Sequence, residues 1–395
     1  MSAFNRVLSK IKPTFDLIIL RIFKEVLFLF GLAPFSVKIS ESPVERSKFV
    51  FKFSQSRNRC AYNIIVGVLF TSYIVWKKNN SNWINTALFA AIHGATATIN
   101  FIYCYYSQQL IAIGNRLAEY DRAVPMALSR FYHCEDATLQ MIIVTTAATI
   151  VWLIDSVLVV IKSDYPMDTA LLMTVGLSYN CFWIQYIMII ILLKNRLSAL
   201  NAALMKIGNA DAKRKTISVL SFDASCESRT ERNIVVIRKA RNILYAIAYS
   251  VEEFYSLPVV VAVIECCCIV VYSGYYTIGP FILSEPPATP FLFYNYACWG
   301  IEYLWILACF SINVNKLIEE VRIFTRETII VVYDIMETYD DKKSIKSSLI
   351  DFSYESLNRQ MNFTACKMFP LDCSLLLSIL SMMGTYMVIA LQYKP

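Results

Sequence analysis

Seven long apolar runs constrain the fold of this chain more than any other feature of its sequence. A hydrocarbon core about 30 Å thick is crossed by about 20 helical residues, which is close to the length of each run. The chain is 57% apolar and 17% charged, whereas soluble globular proteins have about 45–50% and about 25%. We therefore predict an all-α membrane protein whose seven transmembrane helices are spans 1 to 7: Cys60–Trp76, Ile84–Tyr105, Thr138–Ile161, Thr169–Leu193, Leu257–Gly279, Pro290–Ile312 and Met368–Tyr393.

An earlier apolar stretch, Phe15–Phe30, differs from these runs. Four charged residues interrupt it: Asp16, Arg21, Lys24 and Glu25. A signal peptide has an unbroken apolar centre and a cleavage site of small residues. The pattern favours a helix lying at the membrane surface, with a re-entrant or spanning segment as the alternative.

The basic residues predict the orientation. All but four of the 37 Lys and Arg residues precede span 1 or follow spans 2, 4 and 6, and the exceptions are Lys77, Lys78, Lys162 and Lys394. Because Lys and Arg are retained on the cytoplasmic side, we predict a cytoplasmic N-terminus and an extracellular C-terminus. This orientation excludes a G-protein-coupled receptor. The long apolar runs also divide the +7 net charge, so no continuous nucleic-acid-binding face forms.

The predicted organisation has four parts. Residues 1–59 form a cytoplasmic segment with the surface helix, 60–312 a ligand-binding transmembrane bundle, 313–367 cytoplasmic anchor helices, and 368–395 the last helix. Apolar residues at three- and four-residue spacing predict long helical extensions beyond the membrane: Ile234, Ile237, Leu244, Ile247 and Val251, then Leu317, Val321, Phe324, Val331 and Ile335. The polar segment Gly208–Glu231 lacks this spacing and is predicted to be a loop. The outer loops, such as Lys77–Trp83, are too short for a folded domain, so we expect any ligand to bind among the helices. Asn79 begins a glycosylation sequon, but it lies so near the membrane that we do not expect it to be glycosylated.

Polar and aromatic residues inside the spans predict a ligand pocket. Ionisable side chains within a membrane usually face a cavity or a partner. Carboxylates beside aromatic rings suit a hydroxyl-bearing or cationic ligand. Hydrogen bonds between helices and an ordinary aromatic belt are the alternative interpretation. The candidate residues are His93, Trp152, Asp155, Glu265, Tyr272, Asn295, Trp299 and Glu302.

The last span has a polar stripe. At 100° per residue, five polar side chains lie within about 40° of one line: Ser374, Ser378, Ser381, Thr385 and Gln392. The stripe packs against another helix through small residues, or it lines water together with copies from other subunits. Val388 and Ile389 interrupt it one turn before Gln392, and an apolar ring of this kind closes a pore by excluding water.

The C-terminal residues resemble a known family. Thr385-Tyr386, five apolar residues and Gln392-Tyr393 are similar to the terminal signature of insect gustatory receptors, although the last aromatic is usually Phe. Phe369-Pro370-Leu371-Asp372 and Gly31-Leu32-Ala33-Pro34-Phe35 are also similar to segments of that family.

This resemblance implies a homotetrameric, ligand-gated, non-selective cation channel in the plasma membrane. The last helix of each subunit would line the pore, with Gln392 and Ile389 at the gate and Val388, Thr385, Ser381 and Ser378 along it. Ligand would bind in the outer half of each bundle, and cytoplasmic helices would join the subunits. A heteromer with related receptors remains open.

Two other classes remain open: an odorant-receptor-like subunit, and a receptor or transporter without a pore. We expect no enzyme, cofactor or metal site, since no nucleophile–base pair or metal-ligand spacing stands out. Membrane lipid is an expected partner. The carboxylates and aromatic residues favour a sugar or another polar tastant over an apolar bitter compound.

Overall fold

A computed structural model describes residues 25, 27–29, 32–41, 49–78, 83–123, 146, 149–150, 153–154, 157, 166–217, 224–282, 290–338, 343–358 and 361–392. The helices within them are α1 Arg57–Lys78, α2 Trp83–Tyr105, α3 Ser107–Ala123, α4 Pro166–Ile217, α5 Ala224–Ile282, α6 Pro290–Thr338, α7 Lys343–Asn358 and α8 Cys373–Gln392. The strands are β1 Phe35–Glu41, β2 Phe49–Gln55, β3 Thr364–Ala365 and β4 Phe369–Pro370. The all-α membrane class is confirmed, and two short hairpins accompany it.

Six of the seven predicted spans coincide with helices. Spans 1 and 2 are α1 and α2, spans 4 to 6 are segments of α4 to α6, and span 7 is α8. Apolar segments long enough to cross a membrane occur in α4, α5 and α6, and α8 is apolar and shorter. Span 3 lies outside the described residues except for a few helical positions, and so do Trp152, Asp155 and Asn79.

The helices continue far beyond the spans, as predicted. α4 has 52 residues, α5 has 59 and α6 has 49. The loop prediction for Gly208–Glu231 is wrong over most of its length, because α4 extends to Ile217 and α5 begins at Ala224. Extending an existing helix avoids the cost of a new nucleus, and the Ala and Lys residues there are good helix formers. These residues can therefore be helical without an apolar stripe.

The segment before α1 is described only in part. Glu25 and Leu27–Leu29 are helical, in agreement with a helix over this part of Phe15–Phe30. Arg59 at the start of α1 contacts it through an ion pair with Glu25 at 3.4 Å and lies over the Phe28 ring. The membrane-surface location remains a prediction.

An antiparallel hairpin of β1 and β2 precedes α1, in a register that pairs Phe35 with Gln55 and Glu41 with Phe49. It packs on α3, where the Asn115 side chain accepts from the Phe53 backbone N–H at 2.9 Å and donates to its carbonyl at 3.0 Å. The Asn115 side chain thus pairs with the Phe53 backbone in the way that a neighbouring strand would.

Stacked aromatic rings form the centre of the bundle. The rings of Tyr186 in α4 and Tyr255 in α5 stack with centroids 4.1 Å apart, and Phe310 of α6 packs on Tyr186 at 4.8 Å. The Tyr103 hydroxyl of α2 donates to the Gln185 side chain at 2.7 Å. These contacts bring α2, α4, α5 and α6 together below the candidate site.

At the predicted cytoplasmic end, α7 packs on α5 and α6. The fully buried Arg241 of α5 donates to the Ser356 hydroxyl at 2.7 Å and to the Ser356 carbonyl at 3.2 Å. The negative end of the α7 dipole, at its last carbonyls, favours a cation at this position. One helical turn away, Arg238 makes a two-pronged ion pair with Glu355, and hydrogen bonding to that carboxylate raises the pKa of Arg238.

Candidate functional site

The candidate pocket residues of α5 and α6 lie in two layers along these helices. The inner layer contains Glu265 of α5, which is 1% exposed, and Glu302 of α6, which is 5% exposed. The Tyr303 hydroxyl donates to Glu265 at 3.4 Å, and the Asn180 side-chain amide of α4 donates to Glu302. The structure therefore brings both predicted carboxylates into one buried polar cluster, which we call the acidic layer: Glu265, Glu302, Tyr303, Tyr179 and Asn180.

The outer layer is aromatic. Tyr272 lies seven residues after Glu265, about 10 Å along the same helix. It contacts Tyr276 at 4.7 Å and Tyr296 of α6 at 5.6 Å between ring centroids. Tyr296 in turn contacts Trp299 at 6.1 Å. The rings are half-buried, and this aromatic layer lies beyond the acidic layer towards the C-terminal end of α5 and the N-terminal end of α6.

The other candidates are distributed differently. Asn295 is buried in α6, two turns from Glu302 and therefore on nearly the same side of the helix. His93 is fully buried between α1 and α2, where its ring contacts Tyr73 at 5.0 Å and Phe70 at 6.0 Å. The structure thus places His93 in the contact between α1 and α2.

The last helix begins with a side-chain cap. Asp372 accepts from the Ser374 backbone N–H at 2.9 Å, which satisfies one of the free donors at the start of α8. The buried residues of α8, Leu375 and Ile379, pack towards α5 and α6. Asp372 thus sets the start of α8 directly after the β3–β4 hairpin.

The polar stripe of α8 is exposed on the surface of the chain. Ser374, Ser378, Ser381, Thr385 and Gln392 are all exposed, and so are Val388 at 53% and Ile389 at 41%. The Ser378 and Thr385 hydroxyls donate to carbonyls one turn back, at 2.9 and 3.1 Å. The exposed side of the helix therefore presents the oxygen lone pairs of these two hydroxyls.

Comparison with protein families agrees with this architecture. The model of the 7tm chemosensory receptor family matches residues 20–395. The chain belongs to the 7tm chemosensory receptor family. No curated protein matches its sequence significantly.

Solved structures show the same fold for this chemosensory receptor. The insect olfactory receptor OR5 from Machilis hrabei matches with a TM-score of 0.67 and 13% identity, covering 97% of this chain and 100% of that one. The same receptor in complex with eugenol matches with a TM-score of 0.68 and 13% identity, covering 95% and 97%. At this identity the likeness shows a shared fold and does not show a shared ligand.

Sequence reasoning missed part of the receptor's candidate pocket. Asn180 is an amide inside span 4 and meets the same criterion that selected Asn295. Tyr296 and Tyr303 are seven residues apart, on nearly the same face of α6. No sequence pattern marked Tyr179 as a pocket residue. Its ring stacks on Tyr303 at 4.2 Å between centroids only because α4 packs on α6.

Proposed function

We propose that this chemosensory receptor is a gustatory receptor: a tastant-gated, non-selective cation channel of the plasma membrane. Four copies of the chain would surround a central pore lined by α8. A small polar tastant would bind the acidic and aromatic layers in the outer half of each bundle.

The exposed polar stripe of α8 is the observation that carries the proposal. Its packed residues, Leu375 and Ile379, lie about 100–140° around the helix from Ser374, and they face α5 and α6. A stripe of hydroxyl and amide groups facing lipid is unfavourable, because lipid offers these groups no hydrogen-bonding partners. Copies of α8 around a wet axis remove that cost, and oxygen lone pairs facing the axis suit cations.

Helix α5 carries part of the proposed pocket and packs directly against the last helix. A Cβ added at Gly274 would lie 3.4 Å from the side chains of Met383 and Met387 of α8. Gly274 lies two residues beyond Tyr272 of the aromatic layer. A ligand that binds the open state more tightly than the closed state would move α5 and draw α8 from the axis. The Ile389 ring would then widen and Gln392 would border the opening.

Cysteine accessibility tests the assignment of α8. Ser381→Cys and Thr385→Cys place thiols on the stripe, and Ile379→Cys places one on the packed side as the control. In transfected cells, we expect a charged methanethiosulfonate reagent to block ligand-evoked current through the two stripe variants within minutes and to leave the control unchanged. Block of the control alone, or of none of the variants while current persists, contradicts a pore lined by α8.

An odorant-receptor-like subunit is the second candidate, favoured by the structural likeness to OR5. The two candidates differ in whether the chain acts alone. A gustatory homotetramer would give ligand-evoked calcium entry in cells that express this chain only. A subunit of the odorant type would respond only when a second receptor subunit is supplied.

A further inference from the structure

We infer that the β1–β2 hairpin and the start of α1 bind the headgroup of an anionic lipid, a phosphorylated phosphatidylinositol of the cytoplasmic leaflet. The residues concerned are Lys38 of β1, Lys52 of β2 and Arg57 of α1, which we call the basic patch. The inference goes beyond the proposed function and does not depend on it, because it concerns neither the tastant nor the pore.

The strand register places two lysines directly opposite each other. Lys38 pairs with Lys52 in the antiparallel ladder. Directly opposed residues project from the same face of a sheet, with Cβ atoms about 4.5–5.5 Å apart. The next pair on this face, Ser36 and Ser54, is joined by a hydrogen bond between the two hydroxyls at 2.8 Å. Like charges at such positions are destabilising, and an anion between the two ammonium groups would remove this cost.

The hairpin supplies no carboxylate to this face. The residues that alternate onto it are Ser36, Lys38, Ser40, Val50, Lys52 and Ser54. Glu41 alternates onto the opposite face together with Phe53, whose ring lies 2.8 Å from where a Cβ at Gly114 of α3 would be. Lys38 and Lys52 are exposed and form no ion pair in the part of the chain that the structure describes. The pair is therefore open to an external anion.

Arg57 connects the basic patch with the membrane surface. It is exposed, and it lies within about 20° of Ile64 and Val68 around α1. These two apolar side chains of span 1 are 45% and 50% exposed. Arg57 precedes the predicted start of the span at Cys60 by about 4.5 Å of helix, within a headgroup region about 5–8 Å deep. A lipid with acyl chains along Ile64 and Val68 would present its headgroup to Arg57.

The hairpin is attached to the start of the same helix. The Arg59 guanidinium of α1 donates to the Phe35 carbonyl at 3.1 Å, at the end of the hairpin where Phe35 pairs with Gln55. Lys38 and Lys52 are about 10 Å along the strands from this end. That distance is about one Debye length at 0.1 M ionic strength, so both lysines attract anions at the membrane surface.

The chemistry of the patch favours a phosphate monoester over other anionic groups. A phosphate monoester has a charge of about −1.5 to −2 at pH 7 and three strong acceptor oxygens. Lysine and arginine side chains are donors without an acceptor, so the two sets match. Phosphatidylserine brings an ammonium group of its own, which would lie beside two lysines. An acidic peptide has no acyl chain for the exposed apolar side of α1.

Short-chain lipids test the inference on the purified full-length receptor in an uncharged detergent. The probes are dioctanoyl phosphatidylinositol 4,5-bisphosphate, dioctanoyl phosphatidylcholine and the free headgroup, inositol 1,4,5-trisphosphate. Binding is measured from the rise in thermal unfolding midpoint during a titration, since a ligand of the folded state stabilises it. We expect the bisphosphate lipid to bind at least about tenfold more tightly than either other probe, and added KCl to weaken its binding.

Variants then locate the headgroup. Lys38→Gln combined with Lys52→Gln should lower affinity for the bisphosphate lipid at least about tenfold, and Arg57→Gln about fivefold. Lys239→Gln is the control, because it removes the same charge from an exposed position of α5 about 27 Å of helix before the predicted start of span 5 at Leu257. Its lipid affinity should be unchanged. Arginine at both lysine positions keeps the charges and should keep the binding.

The lysine pair also separates lipid binding from a structural role. Without lipid, the double Gln variant loses the repulsion across the strands, so it should unfold at the same temperature as the unaltered chain or at a higher one. With saturating bisphosphate lipid on the unaltered chain, the same variant should unfold at a lower temperature than that chain. A structural role for the lysines would lower the midpoint in both conditions.

Three outcomes overturn the inference. One is equal affinity for the bisphosphate lipid and phosphatidylcholine. Another is a free headgroup that binds as tightly as the lipid, which would assign the basic patch to a soluble phosphate compound. The third is unchanged lipid affinity in both the double Gln variant and Arg57→Gln. Should a variant fail to fold, the comparison of the three probes on the unaltered chain still decides.

Discussion

Thr364 donates two hydrogen bonds to one carboxylate oxygen of Glu252, from its backbone N at 3.1 Å and from its hydroxyl at 2.7 Å. One turn along α5, the Ser256 hydroxyl accepts from the Cys366 backbone N–H. The β3–β4 hairpin directly ahead of α8 is thus attached to α5, the helix that carries Glu265 and Tyr272. Its turn has left-handed backbone at Cys366 (φ 49°) and Lys367 (φ 58°), so the hairpin is a tight, defined connection.

This attachment predicts that Glu252→Ala weakens coupling between the proposed pocket and the last helix. A buried or half-buried donor that loses its partner costs about 1–3 kcal/mol. We expect a smaller maximal ligand-evoked current for each channel at the cell surface, together with a lower unfolding midpoint. Glu253→Ala is the matched control, because Glu253 is exposed on the next position of the helix. Equal currents per surface channel in the two variants would contradict coupling through Thr364.

Arg241→Lys is expected to loosen α7 from α5. The guanidinium group bridges two Ser356 oxygens and lies over the rings of Tyr245 at 4.6 Å and Phe324 at 5.2 Å. An ammonium group cannot reproduce this planar arrangement. Loss of one hydrogen bond from a charged donor lowers the free energy of unfolding by about 1.5–3 kcal/mol. The measurement is the thermal unfolding midpoint, and Lys239→Arg at an exposed neighbouring position should leave it unchanged.

Ile389→Ala is expected to raise current in the absence of ligand. In the proposed tetramer, the substitution would remove three methylene-sized groups from each of four copies and widen the apolar ring that is proposed to exclude water. Leu380→Ala removes a similar volume at a similarly exposed position, 40% against 41%. It lies about 140° around the helix from Thr385, off the stripe. Whole-cell recordings that show equal leak in both variants would contradict a gate at Ile389.

Two glycines give opposite expectations for stability. A Cβ at Gly300 of α6 would lie 2.7 Å from the Ser273 hydroxyl of α5, whereas a Cβ at Gly384 of α8 meets nothing within 4 Å. Gly300→Ala should destabilise the protein by about 1–3 kcal/mol through overpacking. Gly384→Ala should stabilise it by up to about 1 kcal/mol, because alanine favours helix. A higher unfolding midpoint for Gly300→Ala would show that α5 and α6 separate without cost.

The sequence carried signals that were not used. Phe35, Val37 and Ile39 alternate with polar residues, as do Phe51 and Phe53 with Lys52 and Ser54, and this two-residue period is typical of strands. The apolar content of the neighbouring spans favoured an all-helical interpretation, and the β1–β2 hairpin was missed. The helical ends at Ile217 and Ala224 were missed for a different reason. A polar helix that continues an existing one has no periodic signature.

Composition and spacing by themselves determined the membrane class, six spans that coincide with helices, and the polar stripe of α8. These features depend on residues near one another in sequence, since crossing lipid requires only an unbroken apolar length and a helix repeats every 3.6 residues. Tertiary structure alone decided which polar residues meet. Asn180 reaches Glu302 across 122 positions and Tyr303 reaches Glu265 across 38. Such pairs depend on how long helices pack and rotate against each other, and local spacing contains no record of that packing.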